Sequence, residues 1–572
     1  MSVIKRLDTV IANKIAAGEV IEKIANVVKE LVENSIDAKS RKIDIDLIES
    51  GLKSITVTDD GSGMEDSDAL LAFERHATSK IENVTDLFRI NSLGFRGEAL
   101  PSIAAISRVE LTTSNGENGI KVVFEDGLFI EKVSTPTNIG TMINVTKLFY
   151  TTPARFKYLK SPQYELAVIQ GMVNKFALAY PEVSFRLTNN SKLIFVSTGN
   201  SSVIDVIATI YSKDVAKNMF EFSNESRDYE IKGFSTNPII NRSSRNYINI
   251  FVNKRQILDQ RIVKAIKECY EQLIPKNRYP ITVLYIECDP GIIDVNIHPR
   301  KQEIKFSEYD KLLYLIKKTI SSKVSMQSIY QFAKQTDFEQ EKMEFHEPVP
   351  EVYQTESLEQ LSFEEELKEE LNQETVETPK RVIPDIEYIG QYAGTYLIFQ
   401  NEEGLYLVDQ HAAAERIRYE RYIAKMSNTT GSQELLVPIT LHLSNDISLR
   451  LVDYLDKLNE FGIKATIEDN QIIITQVPIW FVKNYELVYS ESVIMKLIEE
   501  TDLSSEVIID DLAKLLACKH SLKANHFISK TEADILIQDL RKCLRPYTCP
   551  HGRPIIVKVS IDQIERLFNR VM

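Results

Sequence analysis

Alternating apolar and polar positions near the start of the chain predict a helix followed by two strands. Apolar residues recur at helical spacing over residues 15–36, with an interruption near Gly18. Residues 42–48 and 53–58 alternate in the manner of half-buried strands, and Gly51 between them is typical of a tight turn. The pattern therefore predicts mixed α/β structure from the beginning of the chain.

The same two periodicities predict a second α/β region and, later, a strand that leads into a helix. Residues 247–252 and 281–286 are strand-like, and residues 262–273 between them have helical spacing. This order is consistent with a crossover connection between the two strands. Residues 405–409 form a short apolar run ending at an aspartate, and residues 410–420 have helical spacing. We predict a strand that ends there and a helix directly after it.

The chain is too long for a single hydrophobic core. Its 572 residues are 43% hydrophobic and 26% charged, which is ordinary for a globular protein of roughly two to four domains. The pattern is lost over residues 329–384, which are rich in glutamate and glutamine and can bury little apolar surface. We predict an α/β multidomain protein made of residues 1–204, residues 205–328, an acidic disordered linker at 329–384, and residues 385–572 with an inserted subdomain at about 435–548.

The net charge of −14 argues against nucleic-acid binding at first sight, but it is unevenly placed. Residues 331–380 hold 15 acidic and 4 basic residues, a net −11, so the remainder carries only −3. A basic surface elsewhere is therefore not excluded. The candidates lie in the second predicted domain, where a solvated basic face is the alternative to DNA binding: Arg242, Arg245, Lys254, Arg255, Arg261 and Lys264.

Cysteine usage and apolar run lengths bear on the compartment. Five cysteines in so long a chain are no disulfide framework, which indicates a reducing compartment. No apolar run approaches the roughly 18 residues of a membrane span, and the N-terminus lacks the apolar core of a signal peptide. We expect a cytoplasmic protein.

Four polar or glycine-rich segments in the first domain suit nucleotide binding. Glu30 and Asn34 are one helical turn apart and project from the same face. Residues 59–64 place two glycines after an aspartate, and residues 76–80 followed by 93–100 could cradle phosphates with exposed backbone amides. The fourth segment is Gly140–Thr141, within a strand-like stretch. Taken singly, each segment is better explained as a solvated helix face or a turn; it is the combination that favours a site.

A second group of residues, near the C-terminus, has the chemistry of a metal site. His411 and Glu415 share a helix face, and Cys549 and His551 form a separate thiol and imidazole pair. Such mixed donors favour Zn²⁺ and tolerate Mn²⁺. The alternative for the Cys549 pair is a core thiol beside a turn, with the imidazole bonded to backbone.

Several motifs resemble the MutL mismatch-repair family, whose ATPase fold is shared with gyrase, heat-shock chaperones and histidine kinases. The segments at 15–20, 76–80 and 94–100 are near-identical to that family, and the segment at 148–155 is similarly close. The resemblance covers the predicted folded parts. It implies an α/β-sandwich ATPase domain, a ribosomal-S5-like α/β second domain, and an α+β C-terminal domain for dimerisation and endonuclease activity.

The resemblance also implies roles in an ATP site with Mg²⁺. Glu30 would be the general base, Asn34 would bind the Mg²⁺, and Asp59 would accept a hydrogen bond from adenine. Lys301, from the second domain, would reach the γ-phosphate. The further residues expected to contact the nucleotide are Gly63, Thr78, Ser79, Lys80, Gly94, Arg96, Gly97 and Thr141. The family's more common asparagine after the adenine-binding aspartate is replaced here by Asp60, which adds negative charge near the nucleotide.

Residues 409–420 match the metal motif of the nicking branch of the family, in which Asp409 would be catalytic. The implied ligands of Zn²⁺ or Mn²⁺ are Asp409, His411, Glu415, Cys518, Cys549 and His551. Two metals would activate water and stabilise the leaving oxygen of a phosphodiester. Lys519 stands where the family usually has arginine, and Phe568–Arg570 matches a further element. Glu420 is five residues beyond Glu415, about 140° round the helix, so we expect it to support the site.

The resemblance implies partners as well. They are double-stranded DNA, a MutS protein that recognises the mismatch, and a second copy of the chain. Gln433–Pro438 resembles the peptide that bacterial proteins dock onto the sliding clamp, with a loop before a strand as the alternative. The short linker favours a bacterial protein associated with the nucleoid. The rival function is a non-catalytic, ATP-dependent matchmaker whose C-terminal metal is structural.

Overall fold

The computed structural model divides the chain into two compact units, Met1–Ser328 with Thr430–Leu503, and Ile329–Thr429 with Ser504–Met572. It describes residues 21–80, 93–94, 97–157, 159–271, 273–274, 278–294, 305–340, 383–428, 431–468, 471–481, 485–499, 509–514, 517 and 527–567.

An eight-stranded sheet forms the N-terminal part of the first unit. Its strand order is β5-β4-β3-β6-β2-β1-β7-β8. The strands are β1 (Lys42–Ile48), β2 (Ser54–Asp59), β3 (Arg108–Ser114), β4 (Gly119–Glu125), β5 (Leu128–Ser134), β6 (Gly140–Thr146), β7 (Ser184–Asn189) and β8 (Lys192–Val196). The helices are α1 (Ile24–Asp37), α2 (Asp66–Leu71), α3 (Ala99–Ala104), α4 (Pro153–Phe156), α5 (Pro162–Ala179), α6 (Val203–Ile210) and α7 (Lys213–Lys217).

The predicted strand pair is confirmed, and its turn explains the glycine. Strands β1 and β2 pair antiparallel, with Ile48 opposite Ser54. Gly51 between them has φ +88°, and a Cβ there would lie 2.7 Å from the Cγ2 of Ile24. A larger residue would be strained both by the backbone conformation and by the helix that packs against it.

Helix α1 confirms the C-terminal half of the predicted helix, while residues 15–20 lie outside the described residues. One face of α1 is buried against the sheet through Val27, Val28 and Leu31. Glu30 and Asn34 stay half-buried at the edge of that face. The amphipathic spacing therefore leaves both polar side chains partly exposed beside the packed face.

The second predicted domain contains the expected crossover. Its main sheet has the order β13-β12-β15-β10-β9, and β12 runs parallel to β15. Helix α8 between them ends earlier than predicted, in tight turns around Tyr270, whose buried hydroxyl donates to the backbone oxygen of Thr236. The elements are β9 (Met219–Glu225), β10 (Tyr229–Thr236), β11 (Asn241–Arg242), β12 (Ile248–Val252), β13 (Arg255–Ile257), α8 (Gln260–Glu268), β14 (Tyr279–Pro280), β15 (Thr282–Cys288), β16 (Ile293–Asp294), β17 (Lys305–Phe306) and α9 (Tyr309–Gln340).

Helix α9 runs past residue 329, the predicted beginning of the disordered linker. Its first turns are anchored because Leu312, Ile316 and Ile320 are fully buried in the core of the second domain. The helix is therefore nucleated by packing and continues into the acidic segment. Residues 341–382 of the predicted linker lie outside the described residues.

The first unit also includes a segment inserted from late in the chain. Its strands and helices are β21 (Ser432–Leu441), α11 (Asn445–Leu451), α12 (Leu455–Glu460), β22 (Lys464–Glu468), β23 (Gln471–Pro478) and α13 (Glu486–Glu499). The three strands form a sheet in the order β21-β23-β22. We call residues 431–499 the inserted segment.

The second unit is built on a four-stranded sheet in the order β18-β19-β20-β24. Its elements are β18 (Glu387–Tyr392), β19 (Tyr396–Asn401), β20 (Gly404–Asp409), α10 (Gln410–Asn428), α14 (Lys530–Arg541), β24 (Ile556–Ser560) and α15 (Ile561–Leu567). The prediction of a strand ending at Asp409 and a helix directly after it is confirmed. Phe399, Val408 and Ala413 lie with Cys549 in one buried core, so the thiol is held against the beginning of α10.

Within the described part of the chain, no helix combines the length and apolar character that a membrane crossing requires.

Candidate functional site

The first site lies where β2 ends, beside helix α1. The carboxylate of Asp59 accepts hydrogen bonds from Ser35 Oγ at 2.7 Å and from the amide of Gly61 at 2.9 Å. Thr141 lies directly opposite Asp59 on β6, and its Oγ1 is 3.0 Å from Thr113 Oγ1. The two sequence-predicted residues are thus brought together by strand register, and Asp59 is oriented by two donors.

Asp60, the departure from the family pattern, has its own backbone partners. Its Oδ1 accepts hydrogen bonds from the amides of Arg41 and Lys42, both at 2.8 Å. Two N–H donors stabilise the ionised carboxylate and tie it to the beginning of β1. The added negative charge at this position is therefore largely compensated by local backbone.

Two glycines permit close backbone approach around the site. Gly63 has φ +66°, and a Cβ there would lie 1.9 Å from the carbonyl oxygen of Ser114. Gly97 has φ +59°, and a Cβ there would lie 2.3 Å from the carbonyl oxygen of Ala77. Since neither approach tolerates a side chain, both glycines are required by packing as well as by backbone conformation.

Asp37 joins three segments of the site, and the sequence analysis missed it. Its carboxylate accepts hydrogen bonds from Lys80 Nζ at 2.6 Å and from the amides of Leu93 and Gly94 at 2.9 and 3.1 Å. The available signal was spacing, because Asp37 lies three residues after Asn34 and shares its helix face. Asp37 therefore joins the segments at residues 76–80 and 93–100 to helix α1.

The ammonium group of Lys80 lies where the site would hold a cation. Lys80 Nζ also donates to Asn34 Oδ1 at 3.0 Å. An amide oxygen and a carboxylate oxygen thus converge on one positive charge, and these are the hard donors that Mg²⁺ prefers. The residues present fit the metal that the sequence analysis expected at Asn34.

Glu30 projects from α1 on the side of Asn34, with 27% of its side chain exposed. Lys29 lies 3.5 Å from it and 3.0 Å from Glu33. Burial lowers the pKa of Lys29, but the two carboxylates raise it by more, so the ammonium stays charged. Glu30 is therefore accessible, with a cation beside it.

The remaining predicted nucleotide contacts are partly described. Thr78 Oγ1 accepts a hydrogen bond from the amide of Lys80 at 3.2 Å, and Ser79 is exposed. Arg96 and Lys301 lie outside the described residues.

The second site begins at the junction of β20 and α10. The Oδ1 of Asp409 accepts hydrogen bonds from the amides of His411 and Ala412, both at 3.0 Å. The carboxylate therefore caps the N-terminus of the helix, where two unpaired amides favour a negative charge. The cap fixes the side chain of the half-buried Asp409 at the beginning of α10.

Glu415, Cys549 and His551 come together although 134 residues separate the first two in the sequence. One ligand atom from each lies within 4.8 Å of the others, and His551 Nδ1 is 2.9 Å from Glu415 Oε1. The cluster combines oxygen, sulfur and nitrogen donors, a set that suits Zn²⁺. His411 and Asp409 are not part of this group, and Cys518 lies outside the described residues.

A tight turn presents the thiol and the imidazole. The amide of Cys549 donates to the carbonyl of Arg553 at 2.9 Å, and the amide of Arg553 donates back to Cys549 Sγ at 3.4 Å. Gly552 within the turn has φ +84°. The turn leaves Cys549 2% exposed, while 40% of the His551 side chain is exposed, so one face of the cluster is accessible.

Glu420 and Arg416 on α10 hold the chain that leads into this turn. Glu420 accepts hydrogen bonds from the amides of Leu544 and Arg545 at 2.6 and 3.2 Å, and Arg416 Nε donates to the carbonyl of Thr548 at 2.6 Å. Glu420 therefore bonds to the backbone of the chain that leads into the turn, and its support of the metal site stays a prediction. No pattern in the sequence predicted the hydrogen bond from Arg416 to the carbonyl of Thr548.

The other described cysteines have the properties of structural thiols. Burial raises the pKa of Cys543 to about 12, with Glu420 adding to the effect, and raises that of Cys288 to about 11. Burial also raises the pKa of Cys269. These thiols stay protonated at neutral pH and are poor metal ligands.

Comparison with known proteins identifies the family. A MutL protein from Anoxybacillus flavithermus is 41% identical, and one from Listeria welshimeri is 42% identical. The first alignment covers 100% of both chains, and the second covers 100% of this chain and 99% of its relative. The chain belongs to the MutL family of DNA mismatch repair proteins.

Three family descriptions match separate parts of this MutL chain. "Histidine kinase-, DNA gyrase B-, and HSP90-like ATPase" matches residues 22–133, and "DNA mismatch repair protein, C-terminal domain" matches residues 207–325. "MutL C terminal dimerisation domain" matches residues 389–528. A solved structure described as "Crystal Structure of N terminal domain of a DNA repair protein" is 26% identical, with a TM-score of 0.49; it covers 56% of this chain and 99% of its own. As a MutL protein, the chain carries an ATPase domain and a dimerisation domain.

The clamp-like segment of this MutL protein protrudes from strand β21. The pairing of β21 with β23 shifts register between Glu434 and Ile439. The intervening residues bulge outward, which leaves Leu436 103% and Val437 77% exposed. Two large apolar side chains held outside a sheet are available to an apolar groove.

Most of the six basic residues proposed for DNA contacts have local partners. Lys254 pairs with Glu182 at 2.6 Å and Arg261 with Asp310 at 3.1 Å, both at exposed positions. Burial lowers the pKa of Arg255, although Glu33 partly opposes the effect, which places Arg255 near helix α1 of the nucleotide site. Arg242 donates to the carbonyl of His442 in the inserted segment at 3.3 Å.

Proposed function

We propose that this MutL chain is a metal-dependent DNA endonuclease that nicks the strand to be repaired and is gated by ATP. The observation that carries the proposal is the convergence of Glu415, Cys549 and His551 on one point next to the helix that Asp409 caps. A purely structural zinc site has four protein ligands and is closed. Here three described donors converge, and half-exposed His551 leaves the cluster open on one side.

Glu415, Cys549 and His551 would hold Zn²⁺ or Mn²⁺, with His411 and Cys518 as predicted further ligands. A bound metal would supply an activated water and stabilise the charge on the leaving oxygen. Asp409 is held by two backbone amides, so its second carboxylate oxygen has a fixed direction. The chain itself therefore supplies a rigid, mixed-donor site.

In the ATPase domain, Glu30 would activate the attacking water, and Asn34 would bind Mg²⁺ at the phosphates. Phosphoryl transfer depends on positioning and charge neutralisation, which fits the network that Asp37 builds with Lys80 and Gly94. Asp59 would accept the adenine hydrogen bond, oriented by Ser35. Arg96 and Lys301 remain predicted phosphate contacts.

The partners follow from the proposed reaction. Homodimerisation would use the C-terminal dimerisation domain, and a MutS protein would deliver the mismatch signal. The exposed Leu436 and Val437 support sliding-clamp binding by Gln433–Pro438. The basic residues of the second domain would contact DNA phosphates without reading sequence.

Nicking of supercoiled plasmid in Mn²⁺ tests the endonuclease assignment. We expect the parent to nick, and Asp409→Asn and Cys549→Ser to lose nearly all nicking. Asparagine retains the helix cap, so a loss in Asp409→Asn reports on chemistry rather than folding. Cys543→Ser is the matched control, because Cys543 is a protonated structural thiol, and it should nick normally. Equal nicking by the parent and Asp409→Asn would remove the endonuclease assignment from this site.

Nucleotide turnover tests the ATP site separately. Glu30→Gln should bind ATP with nearly unchanged affinity while hydrolysis falls by about 10²-fold or more, because the general base is lost. Binding is measured with a fluorescent ATP analogue and turnover by phosphate release. Unchanged turnover would remove Glu30 as the base.

A further inference from the structure

The inserted segment packs on the second domain through an ion pair that is almost fully buried. Arg278 Nη2 lies 2.6 Å from Glu491 Oε2, with side-chain exposures of 5% and 2%. Arg278 belongs to the second domain and Glu491 to helix α13 of the inserted segment. Two buried charges are tolerated only when they lie close together and are well oriented, so the position of α13 on the second domain is well defined.

Further carboxylates of the inserted segment occupy donors on one loop of the second domain. We call residues 241–246 the donor loop. The amide of Ser243 donates to Glu491 Oε1 at 3.4 Å, and Asn246 Nδ2 donates to Glu499 Oε1 at 3.1 Å. The hydroxyl of Ser244 also donates to Glu499. Two carboxylates therefore gather backbone, hydroxyl and amide donors together with a guanidinium.

The remainder of the interface is mixed: helix α11, with buried Ile447 and Leu451, packs on helix α5, and polar groups near it are incompletely satisfied. Buried amide oxygens of Gln170, Asn174 and Asn445 have no hydrogen-bond partner among the described residues, and neither has Nε of Arg242. A cavity of about 320 Å³ is lined by the three amide side chains and also by His442 of the inserted segment. Permanent interfaces resemble a domain core, whereas reversible ones are polar and contain water.

Donors of this kind are the ones that bind DNA phosphates. Arginines, small hydroxyl and amide side chains, and backbone N–H groups make most protein contacts to the phosphate backbone. Arg242, one of the residues proposed for DNA binding, lies in the donor loop and is half-buried under the inserted segment. Glu491 and Glu499 thus hold negative charge where phosphates would compete for the same groups.

We infer that the inserted segment is a reversible, autoinhibitory cover over the donor loop, which DNA phosphates displace. The inference rests on the proposed DNA binding. In the covered state, Glu491 neutralises the charge of Arg278, and the carboxylates of Glu491 and Glu499 accept the hydrogen bonds of the donor loop. In the DNA-bound state, phosphates replace them and the inserted segment, with its clamp-like peptide, is released. Loss of the Glu491 carboxylate leaves Arg278 buried without its charged partner, and loss of the Glu499 carboxylate removes the acceptor of Ser244 and Asn246, so both changes favour the open state.

Hydrogen exchange with DNA titration tests the inference. In the free parent, amides of residues 241–247 and 486–499 should be protected. A duplex of about 30 base pairs should keep 241–247 protected but speed exchange over 486–499. The E491Q/E499Q variant should exchange quickly in both regions without DNA. If the covered form is about nine-tenths populated, the variant should bind the duplex roughly tenfold more tightly.

The control is E486Q/E468Q, which removes the same charge from helix α13 and strand β22 of the inserted segment. It should match the parent in exchange and in affinity. DNA binding that leaves 486–499 as protected as before overturns the displacement. Equal affinity of the parent and E491Q/E499Q overturns autoinhibition. Absence of DNA binding by all three proteins overturns the proposed DNA contact, and the displacement with it, whereas exchange in the free proteins still decides whether the cover forms.

Discussion

Single charged side chains in this MutL chain are held in place by hydrogen bonds to neighbouring groups. Asp59 is aligned by Ser35, Asp409 by two helix amides, and Glu420 fastens the chain that leads to the Cys549 turn. In each case a charged side chain is satisfied by donors that are fixed by backbone or by a buried hydroxyl. Such preorganisation would keep the proposed metal- and nucleotide-binding groups in place before a ligand arrives.

Glu420 gives a test of positioning at the residue scale. Glu420→Ala should lower zinc affinity by roughly 10–100-fold, because the amides of Leu544 and Arg545 lose their acceptor and the Cys549 turn loosens. Glu420→Gln keeps one acceptor oxygen and should lose much less. Competition with a chromophoric chelator measures both. Equal losses in the two variants would show that Glu420 acts through its charge rather than by positioning.

At the scale of elements, each site is made by the ends of regular structure. The nucleotide site joins the exposed edge of α1 to the end of β2, with β6 supplying Thr141 in register. The metal cluster joins the first turns of α10 to the turn after α14. Helix ends and strand ends carry unpaired backbone groups, so they are natural places for charged ligands.

Helix α14 offers a test at this scale because it packs on α10 and begins with a capping box. Ser529 Oγ accepts from the amide of Glu532 at 3.3 Å, and Glu532 Oε2 accepts from the amide of Ser529 at 2.7 Å. Ser529→Ala should cost about 1 kcal/mol of local stability. Hydrogen exchange in the first turn of α14 should then be about fivefold faster. Ser529→Asp restores a capping oxygen and should exchange like the parent; an unchanged rate in the alanine variant would contradict the cap.

At the scale of the whole molecule, chain order and spatial grouping differ. Residues 430–503 lie between two stretches of the second unit in sequence but belong to the first unit in space. The linker prediction, together with this grouping, implies that the N-terminal and C-terminal parts are joined both by a tether and by a docked segment. Docking through a tether benefits from a high effective concentration.

Cutting the tether separates these two links. A protease site placed within residues 341–382 should yield two fragments that elute together in size-exclusion chromatography, because the inserted segment still binds the N-terminal fragment. In E491Q/E499Q the fragments should elute apart, and duplex DNA should separate those of the parent. Separate elution of the parent fragments without DNA, at every concentration tried, would mean that the inserted segment does not bind outside the intact chain.

Much of the fold and the ligand chemistry could be predicted because both are local. Periodicity determined the strand pair around Gly51, the crossover in the second domain, and the strand and helix that meet at Asp409. The motif resemblance pointed to Asp59 and Thr141, and to Glu415 with Cys549, before any distance was known. Helical phase alone predicted that Glu420 supports the site rather than binding the metal. These features depend on neighbours within a few residues or on a motif that survives as sequence.

Long-range packing decided the rest. Nothing in the sequence linked Asp37 to Gly94, Arg416 to Thr548, or Arg278 to Glu491, since each contact joins residues that are far apart in the chain. Helix α9 continued past the predicted beginning of the linker because the core of the second domain nucleates it. Only the tertiary structure showed that Glu491 and Glu499 of the inserted segment contact Arg278 and the donor loop, because burial and charge pairing are properties of surfaces that meet in space.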